Sequence, residues 1–347
     1  MKKKVGIIGH FGGNKNFMDG QTVKTKILYD ALKEKNMFDI VCVDTYYNTV
    51  SKAKLIKDTL ICMLKCRDII MLLSINGMKI YFPMMYYASK LLRRRVYHDV
   101  IGGNLGDFVR RYPKWKKYLN SFKVNWVEFE NMNKDLVSVG VTNGKVLPNF
   151  KNLEINYDYS EGEEYNKNGY HFCTFSRVMK EKGITDAIET IKKYNSQNEK
   201  KAYLDVWGPV ADEYKEEFDT LLKENAEFVK YMGCADFSKS VETLKKYYAL
   251  LFPTYWSGEG FPGTIIDAFS AGIPLIATDW NANSEIITHM ETGIIYPREE
   301  FKDLFDGINY SIKNEEEFVK MKKNCSEEAK KYLVEANITK IIKELGE

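Results

Sequence analysis

Residues 253–277 determine how the second half of this chain folds, and they read Pro-Thr-Tyr-Trp-Ser-Gly-Glu-Gly-Phe-Pro-Gly-Thr-Ile-Ile-Asp-Ala-Phe-Ser-Ala-Gly-Ile-Pro-Leu-Ile-Ala. The apolar run before them, Tyr248 to Phe252, predicts a β-strand that ends in a glycine-rich loop. A short helix is predicted from Gly263 to Gly272, and Ile273 to Ala277 predicts a second strand. A strand, a glycine-rich loop and a helix N-terminus in this order are typical of sites that bind anions.

The polar groups of this segment suit a ligand with both phosphate and hydroxyl groups. The first N–H groups of a helix have no partner within it, and the helix dipole adds to their positive charge, so they favour phosphate. Here they belong to Gly263, Thr264 and Ile265. Glu259 lies in the loop and Asp267 on the helix, and carboxylates are strong acceptors for sugar hydroxyls. The segment therefore predicts a site for a nucleotide-sugar.

Length and composition favour two globular domains in a cytoplasmic protein. A chain of 347 residues is too long for one ordinary domain, and its 44% hydrophobic residues suffice for two cores. The net charge of +3 gives no reason to expect a nucleic acid partner. Six cysteines without a Cys-x-x-Cys pair and four scattered histidines disfavour a metal site, so free thiols in a reducing cytosol are expected. Val5 to Ile8 is too short for a signal peptide, and Ile69 to Leu92 is interrupted by polar residues, which predicts a strand and a helix rather than a membrane span.

Short apolar runs alternate with helical patterns along the whole chain, as in parallel sheets. The alternation stops at residues 151–169, which are polar and contain two glycines, and then starts again. We therefore predict an α/β protein of two doubly wound, Rossmann-like domains that face a cleft. The expected divisions are residues 1–150, a linker at 151–169, a second domain at 170–325, and a C-terminal helical segment, 326–347, that packs back on the first domain.

Three motifs in the stretch 253–277 resemble the donor-site signature of the retaining glycosyltransferases of family 4, which have the two-domain GT-B fold. They are Glu259-Gly260-Phe261-Pro262, Asp267-Ala268 and Gly272-Ile273-Pro274, in the order found in the family. The family usually has Glu where this chain has Asp267. Asp is one methylene shorter, so its implied contact with the nucleotide ribose needs a closer backbone or a water. An ordinary βαβ turn is the alternative interpretation.

Two further segments resemble elements of the same family. Arg177 and Lys182 lie in Phe175-Ser-Arg-Val and Glu181-Lys-Gly, which match a Gly-Arg-Leu and a Glu-Lys-Gly element, with Ser176 in place of the usual Gly. The resemblance implies that Arg177 and Lys182 hold a diphosphate from two sides, and that Glu259 and the backbone after it orient the sugar. It extends over roughly residues 145–297, and it implies that the first domain binds the acceptor and the second binds the donor.

A glycine-containing loop, Gly9-His-Phe-Gly12-Gly13, follows the first predicted strand. Its glycines allow backbone N–H groups to approach a phosphate, and the family resemblance assigns Gly12 and Gly13 to the donor site. Gly6, Gly9 and Gly12 also imitate a dinucleotide fingerprint, with Asp44 as a ribose ligand. Asp44 is 32 residues beyond Gly12 rather than about 20, which disfavours a nicotinamide site.

His98 lies on or just after a predicted strand, next to Asp99. Family members often have a histidine here whose imidazole faces the reacting sugar, so we include His98 among the candidate catalytic residues with Glu259, Arg177 and Lys182. The alternative is a partly buried histidine that bonds to Asp99.

Residues 90–123 are rich in both cations and aromatic side chains, including Arg110, Arg111, Lys114, Trp115 and Phe122. This mixture suits the interface of an anionic membrane, although a solvated surface over a packed helix is an equal alternative. A peripheral membrane contact is expected, and nucleic acid is not.

Together these patterns predict a metal-independent hexosyltransferase without a cofactor, whose donor is a nucleotide-sugar, preferably a UDP-sugar. The acceptor is expected to be a glycan or a lipid-linked molecule in lipopolysaccharide, capsule or other cell-surface synthesis. The alternatives are a nicotinamide-dependent oxidoreductase, a nucleotide-sugar epimerase and a catalytically silent binding partner.

Overall fold

A computed structural model describes residues 2–13, 19–46, 51–297 and 301–346. The chain forms two compact units, and each contains a six-stranded parallel sheet. Unit 1 comprises Met1–Asn152 and Val334–Glu347, and unit 2 comprises Leu153–Leu333. The predicted pair of α/β sheets is therefore present.

Unit 1 has strand order β2-β1-β3-β4-β5-β6. Its strands are β1 (Lys3–Gly9), β2 (Phe38–Asp44), β3 (Asp68–Leu72), β4 (Arg95–Asp99), β5 (Val124–Val127) and β6 (Gly144–Val146). Its first six helices are α1 (Gly20–Glu34), α2 (Lys52–Lys65), α3 (Ile75–Leu91), α4 (Leu105–Arg111), α5 (Trp115–Leu119) and α6 (Glu130–Ser138).

The central strand β3 shows why this sheet is covered on both faces. All five of its residues are buried, and successive side chains of a strand point to opposite faces. Ile69 and Met71 pack in one core cluster with α2 and α3, whereas Ile70 and Leu72 pack in another cluster with α1. A continuous apolar run thus forms a strand between two helical layers.

Unit 2 has strand order β12-β11-β10-β7-β8-β9. Its strands are β7 (Tyr170–Phe175), β8 (Ala202–Trp207), β9 (Val229–Gly233), β10 (Ala249–Phe252), β11 (Leu275–Thr278) and β12 (Gly293–Tyr296). Its helices are α7 (Ser160–Tyr165), α8 (Ile184–Gln197), α9 (Lys215–Glu224), α10 (Ser240–Leu244), α11 (Gly263–Ser270), α12 (Asn283–Ile286), α13 (Phe301–Lys313) and α14 (Glu315–Ala329).

Much of the stretch predicted as a linker, 151–169, packs on unit 2. It contains α7, and the N–H of Asn156 donates to the Ser270 carbonyl at 2.7 Å. The hydroxyls of Tyr159 and Ser326 lie 2.8 Å apart. This segment is therefore held on the helices of unit 2 by both backbone and side-chain hydrogen bonds.

The last helix, α15 (Val334–Gly346), belongs to unit 1. Its buried apolar residues are Val334, Ile338, Ile341 and Leu345. They recur at intervals of three and four, which places them on one face of the helix. This face packs in the core cluster that contains Leu28 and Leu32 of α1. The Tyr97 hydroxyl donates to the Glu344 carbonyl at 3.1 Å, and the Arg95 guanidinium donates to the Leu345 carbonyl at 3.0 Å. These donors satisfy carbonyls at the end of the helix that have no intrahelical partner.

Candidate functional site

The strand order of unit 2 reverses between β7 and β10, which are parallel neighbours. In doubly wound sheets, ligands bind outside the carboxyl ends of the strands at such a point. Arg177 and Lys182 follow β7, and Glu259 and α11 follow β10. The two segments that carry the sequence motifs of unit 2 thus meet at the position where this fold binds ligands.

A buried ion pair joins these two segments. The Lys182 ammonium contacts Glu259 Oε2, and the two residues are only 8% and 5% exposed. The Thr254 hydroxyl donates to the same carboxylate oxygen at 3.1 Å. The ammonium also lies 4.9 Å from the centre of the Trp256 ring, within the range of a cation–π contact. Lys182 is therefore neutralised by Glu259 in this structure.

The backbone holds the two segments in register at this pair. The N–H of Tyr255 donates to the Glu181 carbonyl at 2.8 Å. Gly183 has φ +71°, and a Cβ there would lie 2.2 Å from the Pro253 carbonyl oxygen. Only glycine permits this close approach of the turn before α8 to the end of β10.

Arg177 lies just beyond β7 and is exposed. Within the described part of the chain, its guanidinium has no carboxylate partner. It therefore presents a positive charge at the switch point, in contrast to the neutralised Lys182. The expectation that both cations hold a diphosphate stays a prediction.

The N-terminus of α11 presents fewer open amides than expected. The N–H of Ile265 donates to the Pro262 carbonyl at 3.1 Å, so the prediction of a free amide is wrong for this residue. Among the described residues, no backbone carbonyl accepts from the N–H of Gly263 or Thr264. The Thr264 hydroxyl oxygen is buried and has no hydrogen-bond partner among these residues. These groups lie at the positive end of the α11 dipole, and their binding of phosphate stays a prediction.

The acidic loop before α11 is anchored at both ends. Phe261 is 6% exposed, and its ring centre lies 5.2 Å from that of Tyr332, so this side chain belongs to the core. Residues after β11 bind the loop from the other side. Asn281 donates to the Glu259 carbonyl at 3.1 Å, and the Trp280 indole donates to the Trp256 carbonyl at 2.9 Å. Sequence reasoning did not identify Trp280 and Asn281, although polar side chains after a strand at the switch point are a usable signal.

Asp267 lies on α11 and is only 2% exposed. Its Oδ1 accepts a hydrogen bond of 2.8 Å from the hydroxyl of Ser240, a fully buried residue at the start of α10. Ser240 was not predicted, because it lies in no motif of the stretch 253–277. The ribose contact of Asp267 stays a prediction.

In unit 1, the loop after β1 is held by Asp44. The carboxylate of Asp44 accepts from the N–H groups of Phe11, Gly13 and Tyr46 at 2.8–2.9 Å. Gly12 and Gly13 have positive φ, which this tight loop requires. The Gly13 amide is therefore occupied, and Asp44 is a structural residue rather than the ribose ligand of a dinucleotide site. The assignment of Gly12 and Gly13 to donor binding stays a prediction.

His98 is fully buried on β4, so the interpretation of a partly buried histidine bonded to Asp99 is wrong. Its ring packs against Phe82, with ring centres 4.8 Å apart, and its Nδ1 lies 3.2 Å from Asn125 Oδ1 rather than near Asp99. Asn125 uses its amide NH₂ to donate to Leu119 and Asn143, so Nδ1 of His98 carries the proton that Asn125 accepts. Burial lowers the pKa of His98 to about 4. The imidazole is thus a neutral buried group, and its catalytic role stays a prediction.

A buried charge cluster at the carboxyl edge of the sheet in unit 1 was missed by sequence reasoning. The ammonium of Lys24 on α1 lies 2.7 Å from Asp99, 2.9 Å from Glu128 and 3.1 Å from the Val100 carbonyl. Burial raises the pKa of Asp99 to about 6 despite the nearby cation. Burial also opposes the charge of Lys24, but the two carboxylates outweigh it and raise the pKa of Lys24. The cluster fastens α1 to the ends of β4 and β5.

The basic and aromatic stretch 90–123 buries some of its rings and exposes others, such as Tyr112. Trp115 and Phe122 are each 4% exposed and belong to the core cluster that contains His98's neighbour Phe82. Arg110 is paired with Asp107 and Asp135. Trp115, Phe122 and Arg110 therefore lend no support to a membrane contact of this stretch, which stays a prediction. No helix among the described residues is long and apolar enough to cross a bilayer.

Comparisons with known proteins agree with this architecture. The sequence profile of the family described as glycosyl transferases group 1 matches residues 158–332, slightly more than half of the chain. Among solved structures, Anabaena HepE in complex with UDP and glucose is similar at 14% identity and a TM-score of 0.74, covering 99% of each chain. Sucrose-phosphate synthase from Thermosynechococcus elongatus has 14% identity and a TM-score of 0.72, covering 99% of this chain and 98% of the synthase. The lipopolysaccharide outer core galactosyltransferase WaaB, in its apo form, has 13% identity and a TM-score of 0.68 over 99% of each chain. These likenesses confirm the GT-B fold.

Proposed function

The chain belongs to the family of glycosyl transferases group 1, and from this premise we propose that it moves a sugar from a nucleotide diphosphate sugar to a hydroxyl of a glycan or a lipid-linked acceptor. The observation that carries the proposal is the meeting of Lys182 and Glu259 beside the N-terminus of α11, at the reversal of strand order. A UDP-sugar is the preferred donor, because HepE has been solved with UDP-glucose.

Charge handling is the main task of these residues in the proposal. When the bond between the sugar and the diphosphate breaks, negative charge develops on the departing phosphate. The exposed guanidinium of Arg177 can bind this charge. The amides of Gly263 and Thr264, at the positive end of α11, can donate hydrogen bonds to the same phosphate. Positioned donors of this kind stabilise a leaving phosphate, so the proposal requires no metal ion.

Lys182 has a second role in the proposal, which depends on its ion pair with Glu259. A diphosphate next to the ammonium would compete with Glu259 for Lys182. Its binding would release the Glu259 carboxylate to accept hydrogen bonds from the sugar hydroxyls. The ion pair thus keeps both groups ordered in the same place, and donor binding divides them between the phosphate and the sugar.

The transfer keeps the anomeric configuration of the donor. The C–O bond to the diphosphate breaks, and a new C–O bond forms to the acceptor oxygen on the same face of the sugar. The proton of the acceptor hydroxyl passes to an oxygen of the departing phosphate. Synthesis of cell-surface polysaccharide or glycolipid at the cytoplasmic side of the membrane would use such a reaction.

A donor assay with and without EDTA tests this proposal. Purified protein is incubated with UDP-glucose and other nucleotide-sugars, and nucleotide release and the anomer of the product are followed by NMR. We expect slow hydrolysis of one donor, unchanged by EDTA, with the Arg177→Ala variant as control. An epimerised free sugar formed from donor alone would favour the epimerase alternative. No reaction with any nucleotide-sugar would contradict the proposal.

A further inference from the structure

The outer faces of α2 and α3 in unit 1 carry large apolar side chains that are exposed to solvent. The exposed fractions reach 61% for Ile56, 49% for Leu60 and 65% for Leu64 on α2, and 69% for Ile80, 58% for Tyr87 and 77% for Leu91 on α3. Their spacing of four or seven residues places each set on one stripe of its helix. We call these six side chains the α2–α3 face.

The two helices lie side by side on the sheet. The hydroxyls of Thr59 on α2 and Tyr81 on α3 are 3.1 Å apart. Arg94, just after α3, donates to the Met63 carbonyl of α2 at 2.7 Å. These contacts join α2 to α3, and the apolar stripes of both helices are exposed to solvent.

Positive charge surrounds the α2–α3 face. Residues 52–94 contain nine Lys and Arg but only Asp58 and Asp68, a net charge of +7 in a chain whose total is +3. Asp68 is buried and bound by Lys3 and Arg95, so it does not offset the surface charge. Lys52, Lys57, Lys65, Lys79 and Lys90 are all exposed. Positive charge is thus concentrated on the same two helices that expose the six large apolar side chains.

We propose that the α2–α3 face docks on the surface of an anionic lipid bilayer. Apolar side chains ringed by lysines are the combination that binds the headgroup region, because the rings and aliphatic chains enter the boundary while the cations meet lipid phosphates. A second copy of this chain is a poorer occupant, since two equal positive faces repel each other. The proposal deepens the proposed function by naming the surface that would bring unit 1 to a lipid-linked acceptor, and it rests on that function only for the acceptor.

Vesicle co-sedimentation with three matched variants tests the proposal. The full-length protein is mixed with vesicles of phosphatidylcholine alone or with phosphatidylglycerol, at several salt concentrations. The face variant carries Ile56→Gln, Leu60→Gln and Leu64→Gln, since Gln retains helix propensity. The apolar control carries Gln at three exposed apolar positions elsewhere, Met37, Val137 and Val319. The charge control carries Gln at five basic positions within residues 90–123, namely Arg110, Arg111, Lys114, Lys116 and Lys117.

We expect binding only to the anionic vesicles, falling with salt because charges are screened. The face variant should bind at least about 100-fold more weakly, since three side chains no longer enter the boundary, while both controls keep most of the binding. Absence of wild-type binding at every salt concentration would overturn the proposal. Loss of binding in the charge control alone, or a wild-type dimer that the face variant abolishes, would also overturn it.

Thermal shift with a panel of nucleotide-sugars on the same four proteins separates this result from the donor site. The α2–α3 face lies in unit 1, whereas Arg177, Lys182 and Glu259 lie in unit 2. A face variant that loses vesicles but keeps its nucleotide-sugar shift supports the docking surface. Vesicle binding without any nucleotide shift in the wild type would contradict the proposed function and leave the docking surface intact.

Discussion

The ammonium of Lys182 and the carboxylate of Glu259 form a buried ion pair between residues that are 77 positions apart. One residue follows β7 and the other follows β10, so the pair spans the switch point of the sheet in unit 2. Removing one member of such a pair leaves an unpaired buried charge. The two cations predicted to hold diphosphate therefore differ in their effect on stability.

Arg177→Ala should lower turnover by about 10²–10³, the scale for losing one donor to the transition state, without changing the melting temperature. Lys182→Ala should lower turnover on the same scale and also destabilise unit 2 by about 3–5 kcal/mol, because Glu259 is left unpaired. Steady-state kinetics and chemical denaturation check the two effects. Near-normal turnover in both variants would remove these residues from the diphosphate site.

Asp267→Asn should weaken nucleotide binding, because an amide is a poorer acceptor for ribose hydroxyls than a carboxylate. Asp267→Glu restores the residue usual in the family and should keep activity. Ser240→Ala is the matched control, since it removes the hydroxyl that donates to Asp267 but keeps the carboxylate. Nucleotide affinities can be measured by calorimetry. Equal affinity of the Asn variant and the wild type would leave Asp267 with a structural role only.

Lys24→Met should destabilise unit 1 by about 3–5 kcal/mol, because Asp99 and Glu128 lose their shared buried cation. Lys33→Met on the same helix is the control and should change stability by less than about 0.5 kcal/mol, since Lys33 is exposed. Adding Asp99→Asn to Lys24→Met should recover part of the loss. Urea denaturation of the three variants is the measurement, and no recovery in the double variant would argue against unpaired charge as the cause.

His98 should make the stability of unit 1 depend on pH. Its pKa is about 4 in the folded protein against an ordinary 6.5, so the unfolded chain binds the proton first as the pH falls below 6.5. The His98 contribution to the free energy of unfolding should then fall by up to about 1.36 kcal/mol per pH unit. Asp99 acts in the opposite direction below about pH 6, because its pKa is raised in the folded protein. Comparing wild type with His98→Gln at pH 7.5, 6.0 and 5.0 isolates the histidine, and a stability difference that does not change with pH would contradict the buried neutral ring.

Most strands were predictable because their residues are apolar in an unbroken run, as in β3, where a parallel sheet is covered on both faces. Helix α4 has only a weak signal in the sequence, because Gly106 lowers its helix propensity. In the structure this glycine permits close packing, since a Cβ there would lie 1.6 Å from the Asp135 carboxylate. Tertiary packing thus overrides the local preference.

The sequence motifs predicted that Lys182 and Glu259 belong to the same site. They could not show that the two side chains form an ion pair, because a contact between residues distant in the sequence depends on strand order. Composition likewise placed cations and rings together in residues 90–123. It could not show that Trp115 and Phe122 face the core, because the helices there are too short for a clear apolar period.

The central claim is that unit 2 binds a nucleotide-sugar at the residues that follow β7 and β10, and a thermal-shift titration measures it most directly. A panel of UDP-, GDP- and other nucleotide-sugars, with NAD as the competing ligand, is tested on wild type and on Arg177→Ala. A ligand at 100 times its Kd adds about 2.7 kcal/mol of stability. We predict a saturable shift with a nucleotide-sugar that is strongly reduced in Arg177→Ala, and no shift with NAD. A shift with NAD alone, or a nucleotide-sugar shift that Arg177→Ala leaves unchanged, would contradict the claim.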